Sequence, residues 1–236
     1  MCRSAPSIPP RPRFDLQAIE ACLHRTRMAF DAINARLRVR RDRLDDEVVG
    51  NMVQGYAYID ELVRDGINIF ALGSLKGLLE INRLVLCGSS ENRRRRYSAH
   101  LKVTERHFYE EREGGVQDLV EWMEDHARDD VWERAAGVYI RILSKPQLFL
   151  EGNHRSGTLV ISYILAREGL PPFVLTPENA STYFDPSSLI TDTRKKSLSM
   201  VFKIPAVKKR LAAFLRQQSD PEFLATGFVP DPPTGR

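Results

Sequence analysis

The chain has 236 residues, 42% of them hydrophobic, and a formal charge of +4 at pH 7. These values are ordinary for a soluble globular protein and fit one domain with appendages, or two small ones. They give no membrane span, because the longest central apolar run, Leu159–Leu165, is far too short. Nor do they argue for nucleic acid, because basic and acidic residues alternate along the chain. No apolar leader opens the sequence, and Cys2, Cys22 and Cys87 form no C-x-x-C pair. Both points suit a reducing cytoplasmic setting, although an effector secreted without such a leader stays open.

Residues 1–13 hold four prolines and three arginines and read as a flexible arm. Asp15 can cap a helix reaching about Val39, with Ile19, Cys22, Leu23, Phe30, Ile33 and Leu37 near one face. A second helix is expected from Asp45 to Val63, stopped by Gly66. Residues 69–88 read as a third. Arg93–Arg96 is a run of four arginines, a solvated face unless aromatic residues interleave it. Residues 101–112 alternate irregularly. His107 there could act as ligand or base, though a lone His in a polar stretch is more often simply exposed. Gly114-Gly115 breaks the chain before a helix over Val116–His126. Asp130 and Glu133 suggest a capping box for the next helix, Val131 to Ser144. A helix over Leu159–Arg167 follows, ended by Gly169. Thr176 and Pro177 suit the start of another, on which Asn179 and Tyr183 either border a nucleoside or simply pack. Pro205–Arg216 closes the series as an amphipathic helix, and the tail from Ser219 reads as loose.

The most informative stretch is Pro146–Thr158, P-Q-L-F-L-E-G-N-H-R-S-G-T. It lies between two apolar helices, the second expected to begin near Ser156. Gly152 and Asn153 permit the turned backbone of an anion-binding nest. The following helix N-terminus adds partial positive charge. Arg155 supplies a planar fork for phosphate, and Glu151 a hard oxygen suited to Mg²⁺. Gly152, Asn153, His154 and Arg155 are therefore the candidate phosphate-binding residues, and Glu151 the candidate metal ligand.

This loop resembles the core motif of the Fic/Doc (Fido) family, H-P-F-x-(D/E)-G-N-G-R-x-x-R. Phe149, Glu151, Gly152, Asn153 and Arg155 keep the pattern. The resemblance implies an all-α Fic-type helical bundle with a short flap before the motif loop and extra N-terminal helices. Val103–Tyr109 is the candidate flap. The implied organisation is an arm over 1–13, an N-terminal helical extension over 14–66, a Fic-like domain over 67–218 and a tail over 219–236. Leu78–Leu84 loosely resembles a family segment preceding the motif. Glu91-Asn92 ends like the family's inhibitory motif, but Cys87 stands where it requires Ser or Thr.

The resemblance also implies transfer of AMP from ATP, with Mg²⁺, to a hydroxyl of a protein substrate. An inhibitory partner or a homodimer would then be the candidate restraint. Three departures bear on this. Gln147 replaces the catalytic His, and an amide orients a hydroxyl but is no base near pH 7. His154 replaces the second Gly of the nest. It matches in bulk the Lys of the Doc branch, which transfers the terminal phosphate, and could also substitute as a base. Thr158 replaces the second Arg. Gln147 and His154 are thus the candidate catalytic residues. The alternatives are a pseudoenzyme that binds a nucleotide or a partner, and a Doc-like phosphotransferase toxin.

Overall fold

The computed structural model describes residues 13–195, 197 and 202–225. Among them are ten α-helices and no strand. The helices are α1 (Leu16–Arg36), α2 (Asp46–Arg64), α3 (Lys76–Cys87), α4 (Glu91–Arg96) and α5 (Ser98–Glu110). After them come α6 (Val116–Asp125), α7 (Val131–Leu143), α8 (Asn153–Arg167), α9 (Ala180–Asp192) and α10 (Ile204–Gln217). The all-α bundle expected from the sequence is what the chain forms.

Helix α8 is the axis. Every residue from Ser156 to Ala166 is buried, so α8 has no solvent face over that span. A helix apolar all round must be enclosed by others, and α7, α2 and α3 enclose it. Helix α10 backs α7, while α1 lies on α2 and touches α9. The first two helices share one continuous core with the rest. Asp15 and Asp45 cap them as the sequence suggests, each accepting a backbone N–H three residues on. Asp60 of α2 also accepts Phe14 N–H at 2.9 Å, which fixes where the chain enters the bundle.

Several expectations change. The third helix begins at Lys76, not near residue 69. Tyr163 holds residues 67–69 in an irregular turn, donating to Ile67 O at 2.6 Å and accepting from Ile69 N–H at 3.2 Å. Val103–Tyr109 is not a flap hairpin but part of α5. A hairpin needs turn residues, and V-T-E-R-H-F-Y has none. Instead Thr104 and Phe108, one helical turn apart, are both buried. Three of the four arginines at 93–96 pair with Glu47, Glu80 and Glu91. Glu91 thus pairs with Arg95 on its own exposed helix. The capping box at α7 is half made: Asp130 accepts Trp132 N–H, while Glu133 pairs with Lys208.

The tail is not loose at its start. Phe223 and Leu224 are buried, and residues 13–15 and 223–225 exchange backbone hydrogen bonds. Residues 1–12 and 226–236, most of the expected arm and tail, lie outside the described residues. No helix among the described residues is long and apolar enough to cross a membrane. Cys22 and Cys87 are free and buried.

Candidate functional site

Gly152 adopts φ 75°, the left-handed region that glycine tolerates best. Its carbonyl accepts Ser156 N–H at 2.9 Å and closes the first turn of α8. The helix therefore starts at Asn153, three residues earlier than the sequence suggested. Asn153 and Arg155 are helical, not part of an extended loop, and His154 lies between them in the same turn.

Asn153 is the staple of the loop. Its Oδ1 accepts Phe149 N–H at 2.9 Å, and its Nδ2 donates to Phe149 O at 2.7 Å and to Gln147 Oε1 at 3.2 Å. Phe149 is buried and stacks on Phe108 of α5, ring centroids 5.7 Å apart. From the other side, Asn82 of α3 donates through Nδ2 to Glu151 O at 2.9 Å and to Ser156 Oγ at 3.1 Å. The loop is thus fixed by two buried amides. Glu151 itself projects outward, its side chain 58% exposed.

Gln147 faces inward. Its Nε2 donates to Leu143 O at 3.1 Å, and its Oε1 accepts from Asn153. Both ends of the amide are occupied within the protein. His107 donates through Nε2 to the Gln147 backbone carbonyl at 2.8 Å. The plain reading of His107 as an exposed side chain is therefore corrected: it braces the motif.

His154 and Arg155 line a cavity of about 150 Å³ between α1, α2, α8, α9 and the linker joining α1 to α2. Its floor is apolar and includes Phe30, Met52, Tyr56 and Phe184. His154 is held at both ring nitrogens. Arg41 has only donors, so the 3.2 Å contact from Arg41 Nη1 makes His154 Nε2 the acceptor. Nδ1 then carries the proton and donates to Tyr139 Oη at 3.0 Å. Burial, and secondarily the Arg41 charge, push the imidazole pKa down to about 4. His154 is neutral at pH 7 with its lone pair engaged, and it makes no contact with Gln147.

Arg155 donates to Val85 O at 3.1 Å. Burial lowers its pKa, opposed by Glu151, Asp42, Asp45 and Glu47, so three carboxylates of the linker and α2 lie around the expected phosphate clamp. Thr158 donates to His154 O at 3.0 Å and shares a 2.8 Å hydrogen bond with Tyr183 Oη. Asn179 caps its own turn, accepting Thr176 N–H and donating to Val174 O. Asn179 is a packing residue here, whereas Tyr183, although buried, lines the cavity beside Thr158 and Phe184.

The structure therefore brings Gln147 and Asn153 together on one side and His154, Arg155 and Thr158 together on another. Sequence reasoning missed Arg41, Asn82 and Tyr139. Asn82 was legible as a polar residue inside an apolar helix, whereas Arg41 lies in a stretch with no periodic signal.

No protein-family model matches the chain. Over 72 residues it is 33% identical to "Protein adenylyltransferase fic-1" of Caenorhabditis briggsae and 31% identical to the protein of that name from Caenorhabditis elegans. Each match covers 29% of this chain and 14% of the relative, so the likeness is to a small part of those proteins. A solved structure of a Fic-1 fragment from C. elegans aligns over 86% of this chain and 61% of its own, with a TM-score of 0.43 and 18% identity. In its core motif and over these 72 residues the chain is similar to Fic/Doc family proteins, with the motif degenerate at Gln147, His154 and Thr158.

Proposed function

We propose that the chain binds a metal–nucleotide, with ATP as donor, at the start of α8 and transfers AMP to a hydroxyl of another protein. The observation that carries this reading is the conformation of 151–155. Gly152 is left-handed, Asn153 locks the loop, and the first backbone N–H groups of α8 follow at once. Such a terminus favours phosphate oxygens. Arg155 supplies the cation and Glu151 an outward carboxylate for Mg²⁺, which neutralises phosphate charge when bound. The fit is chemical: one carboxylate beside a phosphate site is how Mg²⁺ is usually held.

The hydroxyl oxygen of the target attacks the α-phosphorus. The bond to the bridging oxygen breaks, pyrophosphate leaves, and the hydroxyl proton passes to solvent or to the leaving group. This chain contributes positioning and charge stabilisation, which dominate phosphoryl-type transfer. It contributes no base at position 147. The missing base lowers the rate by about two to four powers of ten.

A second reading, nucleotide binding without turnover, is favoured by one specific observation. The Gln147 amide already gives one N–H to Leu143 O and accepts from Asn153, so it is braced against the loop rather than free to turn toward a target hydroxyl.

Incubation with α-labelled ATP and a lysate, for wild type, Gln147→His and Arg155→Ala, separates the readings. AMP transfer predicts weak labelling in wild type, a gain of about a hundredfold or more in Gln147→His, and none in Arg155→Ala. Thermal stabilisation by Mg²⁺–ATP without labelling in either active form supports the second reading. Absence of both ends the nucleotide reading. Label carried only from γ-labelled ATP would identify a Doc-like phosphotransferase.

A further inference from the structure

The cavity beside His154 is small, and most of its wall is apolar. Its volume of about 150 Å³ falls well below the roughly 300–1,000 Å³ of pockets that hold drug-sized molecules. It is too small for a nucleotide. An apolar cavity of this size takes a molecule about as large as benzene, and Leu23, Phe30, Met52 and Phe184 supply such walls. The polar groups among them already have partners within the protein. Tyr56 Oη donates to Phe173 O at 2.7 Å, Thr158 and Tyr183 share a hydroxyl hydrogen bond, and His154 is engaged at both ring nitrogens. None of these groups needs the hydrogen bonds that a sugar or a base would bring.

The charged lining is different. Arg41, Arg43 and Arg155 stand against one carboxylate, Asp42. The other acids that act on Arg155 are committed elsewhere: Asp45 caps α2, Glu47 pairs with Arg93, and Glu151 faces His100. Arg155 gives one N–H to Val85 O and makes no other hydrogen bond among the described residues. A guanidinium carries several further donors.

We propose that this cavity binds a small monocarboxylic acid with a single aromatic ring, its ring on the apolar wall and its carboxylate on Arg155. The ring gains by leaving water, and a carboxylate matches the guanidinium fork. The site goes beyond the nucleotide reading and stands without it. Its occupant would engage the cation that the nucleotide reading assigns to phosphate.

The test uses the full chain with benzoate as probe and no nucleotide. Methyl signals are followed by NMR. The expected result is a saturable shift of the Leu23, Met52 and Leu175 methyls, with nuclear Overhauser contacts from the benzoate ring to them. Benzoate should bind about tenfold more tightly than benzamide, which has the same shape without the charge. Arg155→Met should erase that preference and leave benzamide binding in place. Val48→Phe puts a ring into the cavity from its partly buried wall and should abolish binding of both. Should either variant fail to fold, the wild-type contacts and the benzoate–benzamide ratio decide alone. No saturable shift, no ring contact to these methyls, or equal binding of benzoate and benzamide would overturn the proposal. So would a preference retained in folded Arg155→Met, or unchanged binding in folded Val48→Phe. With no nucleotide in the tube, such a failure leaves Arg155-dependent nucleotide binding standing, and loss of nucleotide binding equally leaves the benzoate titration intact.

Discussion

The two sides of the motif are built differently. Residues 147–153 form a side locked by short-range amide hydrogen bonds, with Asn153 bonding residues four and six positions back. His154, Arg155 and Thr158 face a cavity whose far wall comes from 113 positions earlier in the chain, where Arg41 meets His154. The first side is locked mainly from within, with Asn82 of α3 and His107 and Phe108 of α5 bracing it. The second depends on how the α1–α2 linker happens to lie. The loop is thus kept intact while His154 and Arg155, just beyond it, take their partners from Arg41 and Val85 O.

Breaking the locked side is expected to have the largest effect. Asn153→Ala leaves the Phe149 N–H and C=O unpaired in a buried setting, which costs about 3 kcal/mol. Chemical denaturation should show that loss at pH 7, and a loss under 1 kcal/mol would mean the loop does not need its staple.

The cavity side should instead reveal itself through pH. His154 has a folded pKa of about 4, below its ordinary value of 6.5. The unfolded chain therefore binds the extra proton between these values. Stability is complete above about pH 6.5 and falls as pH drops toward 4, by up to about 3 kcal/mol. Unfolding curves at stepped pH would show the slope, and it should vanish in His154→Gln.

Gly157→Ala probes the contact between the two sides of α8. An added Cβ would lie 2.7 Å from the Tyr139 ring, against an ordinary contact of 3.4–4 Å. Overpacking of this kind costs about 1–3 kcal/mol, and it should move Tyr139 off His154. Raised stability in this variant would show that the Tyr139 contact is slack.

The smallest effect is expected from Arg41→Met, about 1 kcal/mol for the hydrogen bonds lost. The sharper readout is the His154 titration by NMR. Its pKa should rise because the second depressing cause is gone, yet stay below 6.5 because burial remains the first.

What could be read in the sequence divides along the same line. Helix starts at Asp15 and Asp45 were visible because capping is a local event. The buried faces of α7 and α10 were visible through their periodicity. The motif loop was legible because Gly152 and Asn153 carry their conformational preferences with them. The flap that the family resemblance implies at 103–109 has no turn residue to support it, and the segment is helical. The tenancy of Gln147 and His154 was not legible at all. Their partners, Leu143 O, Tyr139 and Arg41, are fixed by tertiary packing, and a hydrogen bond to a distant guanidinium leaves no periodic trace. Asn82 and His107 lie outside the motif and meet it only because α3 and α5 pack against it.

The hydrogen bonds joining residues 13–15 to 223–225 have a topological consequence. Both ends of the described fold emerge at one seam, with the Phe14–Leu224 bridge closing it. The bundle is therefore a closed circuit in space, cut once. A short linker across that seam would allow the cut to be moved, for instance to the turn at Leu72–Ser74, whose residues are not buried. In such a rearranged chain the α1–α2 linker would be synthesised after α8 and α9, so the wall of the cavity would be laid down last.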